Sequence, residues 1–152
     1  MNEDFRDIIG ALLEEGARFL VAGAHALAVH GIPRATGDLD LWIERNPDNA
    51  ERVWRSIIRF GAPVEALDIS VEDLCEPELV IQIGLPPRRV DILTDLTGVD
   101  FGSAWDSRVV LAIGELDVPF LGRESLIQNK RATGRLKDLA DLEALGESPR
   151  SA

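Results

Sequence analysis

Two aspartates, Asp38 and Asp40, stand one residue apart in GDLDLWI, inside an otherwise apolar segment. A β-strand points successive side chains to opposite faces, so both carboxylates belong to one face, whereas Leu39 and Leu41 belong to the other. Two carboxylates held side by side repel each other, and burying them without a partner is costly. The pair therefore predicts a cation beside it, unless the strand lies at a solvent-facing edge.

A third acid, Asp91, lies in a later apolar segment, RRVDILT. If this segment pairs beside the strand of Asp38 and Asp40, three carboxylates meet on one face of one sheet. Carboxylate oxygens alone suit a hard cation, Mg²⁺ or Mn²⁺, which commonly shares its coordination with substrate phosphate. In the absence of metal we expect a raised pKa for at least one of the three, because like charges disfavour joint ionisation.

Several other residues are candidates for contacting the phosphates of such a substrate. Gly23 lies where a strand ends and a helix begins, and a residue without a side chain there lets phosphate approach backbone N–H groups. The same glycine can also serve turn geometry alone. Arg34 would offer a bidentate fork and Lys130 a point charge. Thr36 either organises the turn before the strand or contacts a phosphate.

Further polar and aromatic residues have a structural and a functional interpretation. The residues Arg135, Lys137, Asp138 and Asp141 predict either a charge network on a helix surface or part of the site. Trp42 shares the strand face of Asp40, which makes it the candidate for stacking on a nucleobase, or else a core residue.

Hydrophobic periodicity and turn residues place these side chains on alternating helices and strands. The predicted helices cover residues 5–13, 24–30, 47–60, 71–75, 123–133 and 136–145, and the predicted strands cover 18–23, 38–44, 78–84 and 88–96, with one or two more in 109–122. The short connection after residue 84 favours an antiparallel hairpin. The predicted fold class is α/β (α+β), a small mixed β-sheet flanked by helices in one domain over residues 1–145, with a disordered tail over 146–152.

The composition limits the class of protein. The formal net charge of -11 over 152 residues argues against a general affinity for nucleic-acid backbone, although PPRR and NKRATGRLK leave room for a local basic patch. The apolar runs are far shorter than the roughly 20 residues that span a bilayer. With no secretory signal and a single cysteine, Cys75, we expect a cytoplasmic protein without membrane contact.

The ordered set of features resembles a known superfamily. VAGAHALAVHGIPRATGDLDLWI is similar to the opening signature of nucleotidyltransferases with the polymerase-β-like fold, in which a glycine plus a small residue precede a D-x-D strand and a lone acid follows on a later strand. The R-x-T before the aspartates and the C-terminal K…GR.KD..D are similar to the nucleotidyltransferase-like toxins of abortive-infection type IV toxin–antitoxin systems and their small relatives. Those toxins add a helical domain after the core.

The resemblance implies a role for individual residues. Asp38 and Asp40 match the metal-binding pair, and Asp91 matches the third acid. Gly23 and Ala24 match the glycine-plus-small turn, while Lys130 matches a lysine near the nucleotide phosphates. Ala24 departs from the serine that many members use to hold a phosphate.

Two functions follow as hypotheses. The first is metal-dependent transfer of a nucleoside monophosphate from an NTP to a hydroxyl of RNA, protein or a small molecule, with Asp38, Asp40 and Asp91 as catalytic residues. The second is a catalytically silent nucleotide-binding or protein-interaction module, with an antitoxin or another protein as partner. The three acids favour the enzyme, and Ala24 favours the module.

Overall fold

The computed structural model describes residues 1–34 and 37–150. The helices are α1 (Glu3–Glu14), α2 (Gly23–Val29), α3 (Pro47–Phe60), α4 (Phe101–Asp106), α5 (Arg123–Thr133) and α6 (Leu136–Ala144), with a short 3-10 helix at Val71–Cys75. The strands are β1 (Phe19–Ala22), β2 (Asp38–Ile43), β3 (Val80–Ile83), β4 (Arg89–Leu93), β5 (Val109–Ile113) and β6 (Leu116–Phe120).

These strands form one mixed six-stranded sheet in the order β3-β4-β2-β1-β6-β5. Strand β2 pairs antiparallel with β1 and parallel with β4, while β3 and β4 form an antiparallel hairpin, as their short connection predicts. The α/β class and the mixed sheet are therefore confirmed. The alternative that the two aspartates lie on an edge strand is wrong, because β2 is flanked by strands on both sides.

Each face of the sheet is covered by its own apolar cluster. The first face packs against α1 and α3, where Leu39 and Leu41 are fully buried among residues such as Ile8 and Val53. The second face packs Leu20 and the residues around it against α2, α4 and α5. Because side chains alternate along β2, burying Leu39 and Leu41 on the first face directs Asp38 and Asp40 to the second.

Local signals explain most element boundaries. The side chain of Asn46 caps α3 by accepting from the Asn49 backbone N–H, and Gly61 ends the helix in the left-handed conformation with φ +92°. Helix α4 was not expected from periodicity, because six residues are too few to display it. Its sequence signal is Asp100, whose carboxylate accepts from the Ser103 backbone N–H as an N-cap.

Two features concern the predicted domain limits and the membrane. Two residues of the predicted tail make contacts with α5: Glu147 accepts from the Arg123 side chain and the Ser148 carbonyl accepts from the Arg131 side chain. The division into a domain over residues 1–145 and a tail over 146–152 stays a prediction. Within residues 1–34 and 37–150, every helix falls short of the length and hydropathy that a membrane crossing requires.

Candidate active site

The register between β2 and β4 brings the three acids together. Asp40 lies directly beside Asp91, and Asp38 lies directly beside Arg89. Residues in register on adjacent strands share a face, so all three carboxylates and the guanidinium lie on the second face of the sheet. The spacing of the sequence predicted this arrangement of the acids.

The cation beside the acids is supplied by the chain itself. The Arg89 Nη2 donates to Asp38 Oδ2 at 2.6 Å and to Asp91 Oδ2 at 3.3 Å. The Arg89 Nε also lies 3.1 Å from Asp91 Oδ1, an ion-pair contact without hydrogen-bond geometry. Sequence reasoning missed this residue, although Arg89 precedes Asp91 by two positions and a strand therefore places both on one face.

Arg89 leaves Asp40 as the least compensated acid. Among the described residues no basic side chain forms an ion pair with Asp40. Burial, followed by the negative charges of Asp91 and Asp38, raises the pKa of Asp40 to about 6. Burial also raises the pKa of Asp91, against the opposing charge of Arg89. The expected direction of the pKa shifts is confirmed, but burial contributes more than the repulsion from which it was expected.

Gly23 fits against Asp40. The glycine has φ +62°, and a Cβ at this position would lie 2.1 Å from Asp40 Oδ2. A side chain is therefore excluded both by the backbone conformation and by the carboxylate. The requirement for glycine at this turn comes from the room that Asp40 occupies, while the proposed approach of a phosphate to the backbone here stays a prediction.

A cleft of about 1020 Å³ lies over this part of the sheet. One wall carries Asp38 and Asp40 from β2 with Gly23 and Ala24 from the start of α2, while Asp91 is buried beside them. The second wall comes largely from α5, α6 and the turn between them. Its polar lining residues are Asn129, Lys130, Thr133, Arg135, Lys137 and Asp141, and Arg34 also lines the cleft.

Lys130 lies at the cleft but is already paired. Its Nζ lies 3.2 Å from Asp138 Oδ1 and 3.0 Å from Asp141 Oδ2. Asp141 also pairs with Arg34. The interpretation of these acids as a helix-surface network is wrong, because Asp138 and Asp141 are 0% and 4% exposed. The contact between Lys130 and a phosphate stays a prediction.

The paired state of Asp138 contrasts with that of Asp40. Burial by itself would raise the pKa of Asp138, but hydrogen bonds from Arg135, Thr133 and Lys130 hold it well below its usual range. The backbone N–H of Arg135 also donates to the same carboxylate at 3.1 Å. Asp138 is therefore a carboxylate kept ionised by its partners.

Lys137 is the basic residue that the sequence did not single out for phosphate binding. It is exposed, lines the cleft and makes no ion pair within the described part of the chain. Its charge acts on Asp40 in the direction that lowers the pKa of the carboxyl. A signal was available, since Lys137 directly precedes the acid of the KD..D motif.

Two candidates from the sequence remain, Trp42 and Thr36. Trp42 is 2% exposed and packs edge-on against Phe101, so its proposed stacking on a nucleobase is wrong. Thr36 lies outside the described residues, so its proposed role stays a prediction.

The carboxylate oxygens that line the cleft are the possible ligands for a cation. Within residues 1–34 and 37–150, no group of three or more His, Cys, Asp or Glu side chains is arranged to hold a metal ion. Asp38 and Asp40 nevertheless line the cleft with carboxylate oxygens, and Arg89 offsets only one of the three negative charges of the cluster. A divalent cation held by these two residues, with substrate and water completing its coordination, fits this chemistry.

Comparisons with known proteins gave matches among solved structures. No family model and no curated protein matches the sequence. The structure is similar to the crystal structure of a "putative nucleotidyltransferase" from Thermotoga maritima, with a TM-score of 0.62 and 17% identity over 92% of this chain and 88% of that chain. Such a likeness shows the fold alone, and the chain therefore has the mixed α/β fold of that protein.

Proposed function

We propose that the chain is a nucleotidyltransferase that uses Mg²⁺ or Mn²⁺ to transfer a nucleoside monophosphate from an NTP to a hydroxyl group. The observation that carries the proposal is the register of Asp40 with Asp91 beside a cleft that has basic residues on its second wall. The fold that the chain shares with the Thermotoga maritima protein agrees with this chemistry.

The proposed reaction is an in-line displacement at the α-phosphorus. The hydroxyl oxygen of the acceptor forms a bond to phosphorus, the bond to the bridging oxygen breaks, and pyrophosphate leaves with the electron pair. Asp38 and Asp40 would hold the cation, which stabilises the charge that develops on the phosphate oxygens. Asp91 is the proposed acceptor of the hydroxyl proton, because its raised pKa makes it a better base than an ordinary aspartate.

Lys137 is the proposed contact for the phosphates. Its ammonium group needs no bond broken before it can meet an anion, whereas Lys130 and Arg34 are held by Asp141. Lys130 and Arg34 then add to the positive potential of the wall, and Gly23 and Ala24 line the cleft where the triphosphate would approach. Replacing Lys137 should therefore weaken nucleotide binding more than its exposed position suggests.

The proposal includes three classes of molecule as the acceptor. RNA, a protein or a small molecule could supply the hydroxyl, and a reaction that consumes NTPs agrees with the cytoplasm expected from the sequence. A role as a toxin with an antitoxin partner rests on the R-x-T and KD..D motifs alone.

Arg89 favours a second candidate function. Its guanidinium contacts two of the three acids that an active enzyme would need. A chain whose acids are neutralised in this way would bind nucleotide or a protein partner without transferring anything. The two functions differ in whether a labelled nucleotide becomes covalently attached to an acceptor.

The test has two stages. Thermal unfolding of the wild type with each NTP, with and without Mg²⁺, measures binding, and a rise in Tm that requires both supports either function. Incubation with α-³²P-labelled NTPs and total cellular RNA and protein then measures transfer. Mg²⁺-dependent labelling supports the enzyme, binding without labelling supports the silent module, and a Tm indifferent to all NTPs contradicts nucleotide binding in both.

A further inference from the structure

Arg89 lies against two of the three acids of the cluster, Asp38 and Asp91. Its guanidinium contacts both oxygens of Asp91, Oδ1 through Nε and Oδ2 through Nη2, and one oxygen of Asp38. The side chains of Arg89 and Asp91 are 28% and 11% exposed. The contact is thus a partly desolvated ion pair, in which the guanidinium lies against both oxygens of Asp91 but has hydrogen-bond geometry only towards Oδ2.

The strand register fixes this arrangement. Asp38 and Arg89 lie side by side on β2 and β4, and Asp91 follows Arg89 on the same face of β4. All three backbones belong to paired strands in the interior of the sheet order, since β2 and β4 both have neighbours on each side. Arg89 can therefore leave the acids only by changing its side-chain rotamer.

Charge balance then limits how many divalent cations the cluster accepts. Three carboxylates carry three negative charges, and Arg89 offsets one of them. Without nucleotide, a single divalent ion neutralises the remainder, whereas a second would leave an excess of positive charge in a partly buried site. Reactions at phosphorus often use two ions, but here the guanidinium already lies within ion-pair distance of Asp91 Oδ1 and donates a hydrogen bond to Oδ2.

We propose that Arg89 takes the place of a second metal ion, so that the site of Asp38 and Asp40 binds one divalent cation per chain. The proposal rests on the proposed function in that it concerns the cation of the same site. Arg89 acts as a permanent positive charge on Asp38 and Asp91, and the exchangeable cation belongs to the side of Asp40.

Mn²⁺ binding measures this stoichiometry without any requirement for activity. Titration of the wild type with Mn²⁺, followed by electron paramagnetic resonance of the free ion, should give one bound ion per chain. Arg89→Gln removes the charge and should either admit a second ion or tighten Mn²⁺ binding by about tenfold or more. Arg89→Lys keeps the charge and should remain at one ion.

Arg88→Gln is the matched control. Arg88 is the adjacent residue of the same type, it pairs with Asp4 at 3.1 Å, and its side chain is 53% exposed. The substitution removes the same charge from the chain, so a general electrostatic effect would change Mn²⁺ binding in both glutamine variants. An effect confined to Arg89→Gln supports the proposal, and equal effects in the two variants overturn it.

The wild type alone also decides the proposal should Arg89→Gln fail to fold. Zero or two bound ions in the wild type overturn it, and so does an unchanged stoichiometry and affinity in folded Arg89→Gln. Failure of the proposed function is separate. One ion without any nucleotide binding or transfer retains the single-cation site and rejects the enzyme, whereas transfer with two ions retains the enzyme and rejects the role of Arg89.

Discussion

The chain holds two clusters of aspartates and basic residues, and they are balanced in opposite ways. On α5 and α6, Asp138 and Asp141 are matched by Lys130, Arg34 and Arg135, and the pKa of Asp138 is held low. On β2 and β4, Arg89 pairs with Asp38 and Asp91 but not with Asp40, and burial with the neighbouring acids raises the pKa of Asp40 to about 6.

The difference separates a stabilising network from a candidate site. A cluster whose charges are matched gains by staying together, whereas a cluster with excess negative charge is costly until a cation arrives. The matched cluster forms part of the cleft wall and holds α5 against α6, and the unmatched cluster lies where a cation and phosphate would enter. Substitutions in the two clusters should therefore have opposite effects on stability.

The largest effect is expected for transfer activity in Asp40→Asn. The change is nearly isosteric but removes a carboxylate that would hold the cation, so transfer should fall by roughly a thousandfold or more. Mg²⁺ should also lose most of its effect on Tm. Transfer of labelled nucleotide and Tm with and without Mg²⁺ measure the two effects, and a variant with wild-type transfer would reject this mechanism.

The cluster of Asp138 and Asp141 should lose stability in Lys130→Met. Removing the ammonium leaves two buried carboxylates with fewer partners, and the cost should be about 2–4 kcal/mol in the free energy of unfolding. Lys137→Met is the control, because the same change at an exposed, unpaired lysine should cost less than about 0.5 kcal/mol. Urea unfolding measures both, and equal costs would show that the Lys130 pairs contribute little.

Gly23→Ala should destabilise the protein, because Gly23 packs against Asp40 of the acid cluster. The added Cβ would clash with Asp40 Oδ2, and alanine would have to adopt the φ of +62° that glycine has here. We therefore expect the free energy of unfolding to fall by about 1–3 kcal/mol. Asp40→Asn does not remove the clash, because the amide has nearly the same size. Gly31→Ala is a useful reference for the backbone cost, because Gly31 has φ +93° and open space around its Cβ position. A cost no larger than that of Gly31→Ala would show that Asp40 adjusts freely.

The dependence of stability on pH should differ between the two clusters. The raised pKa of Asp40 means that the native state binds this proton more tightly than the unfolded state. The cost in folding free energy of ionising Asp40 is therefore absent below about pH 4, develops as the pH rises towards 6, and stays constant above pH 6. Asp138 behaves in the opposite sense, since its lowered pKa contributes stability that is lost as the pH falls below about 4.

Asp40→Asn isolates the first effect. Without metal, this variant should be more stable than the wild type by on the order of 1–3 kcal/mol at pH 7, and the advantage should shrink towards zero near pH 4. Denaturant unfolding in chelator at several pH values gives the difference directly. An advantage that does not change between pH 4 and 7 would mean that the Asp40 carboxyl has an ordinary pKa in the folded chain.

Sequence reasoning captured one cluster better than the other for a physical reason. Alternation along a strand is short-range, so the shared face of Asp38 and Asp40 followed from their spacing, and the same rule applied to Arg89 and Asp91 would have found the arginine. The partners of Lys130 depend on how α5 and α6 meet across Gly134, which has φ +60°. The packing of α5 against α6 is a tertiary property, and the sequence therefore did not separate a buried network from a surface one.

The smallest effect is expected for Lys137→Gln, and it tests whether the two lysines of the cleft wall have different roles. Glutamine is polar and slightly shorter than lysine but removes the charge, so the KM for NTP should rise by about tenfold while the free energy of unfolding changes by less than about 0.5 kcal/mol. Arg135→Gln is the control on the same wall, because Arg135 is paired with Asp138 at 2.7 Å and should show the larger loss of stability. Nucleotide titration and urea unfolding on the same preparations measure both quantities. A KM unchanged in Lys137→Gln would return the phosphate contact to Lys130, whose ammonium would then have to bind phosphate while still paired with Asp138 and Asp141.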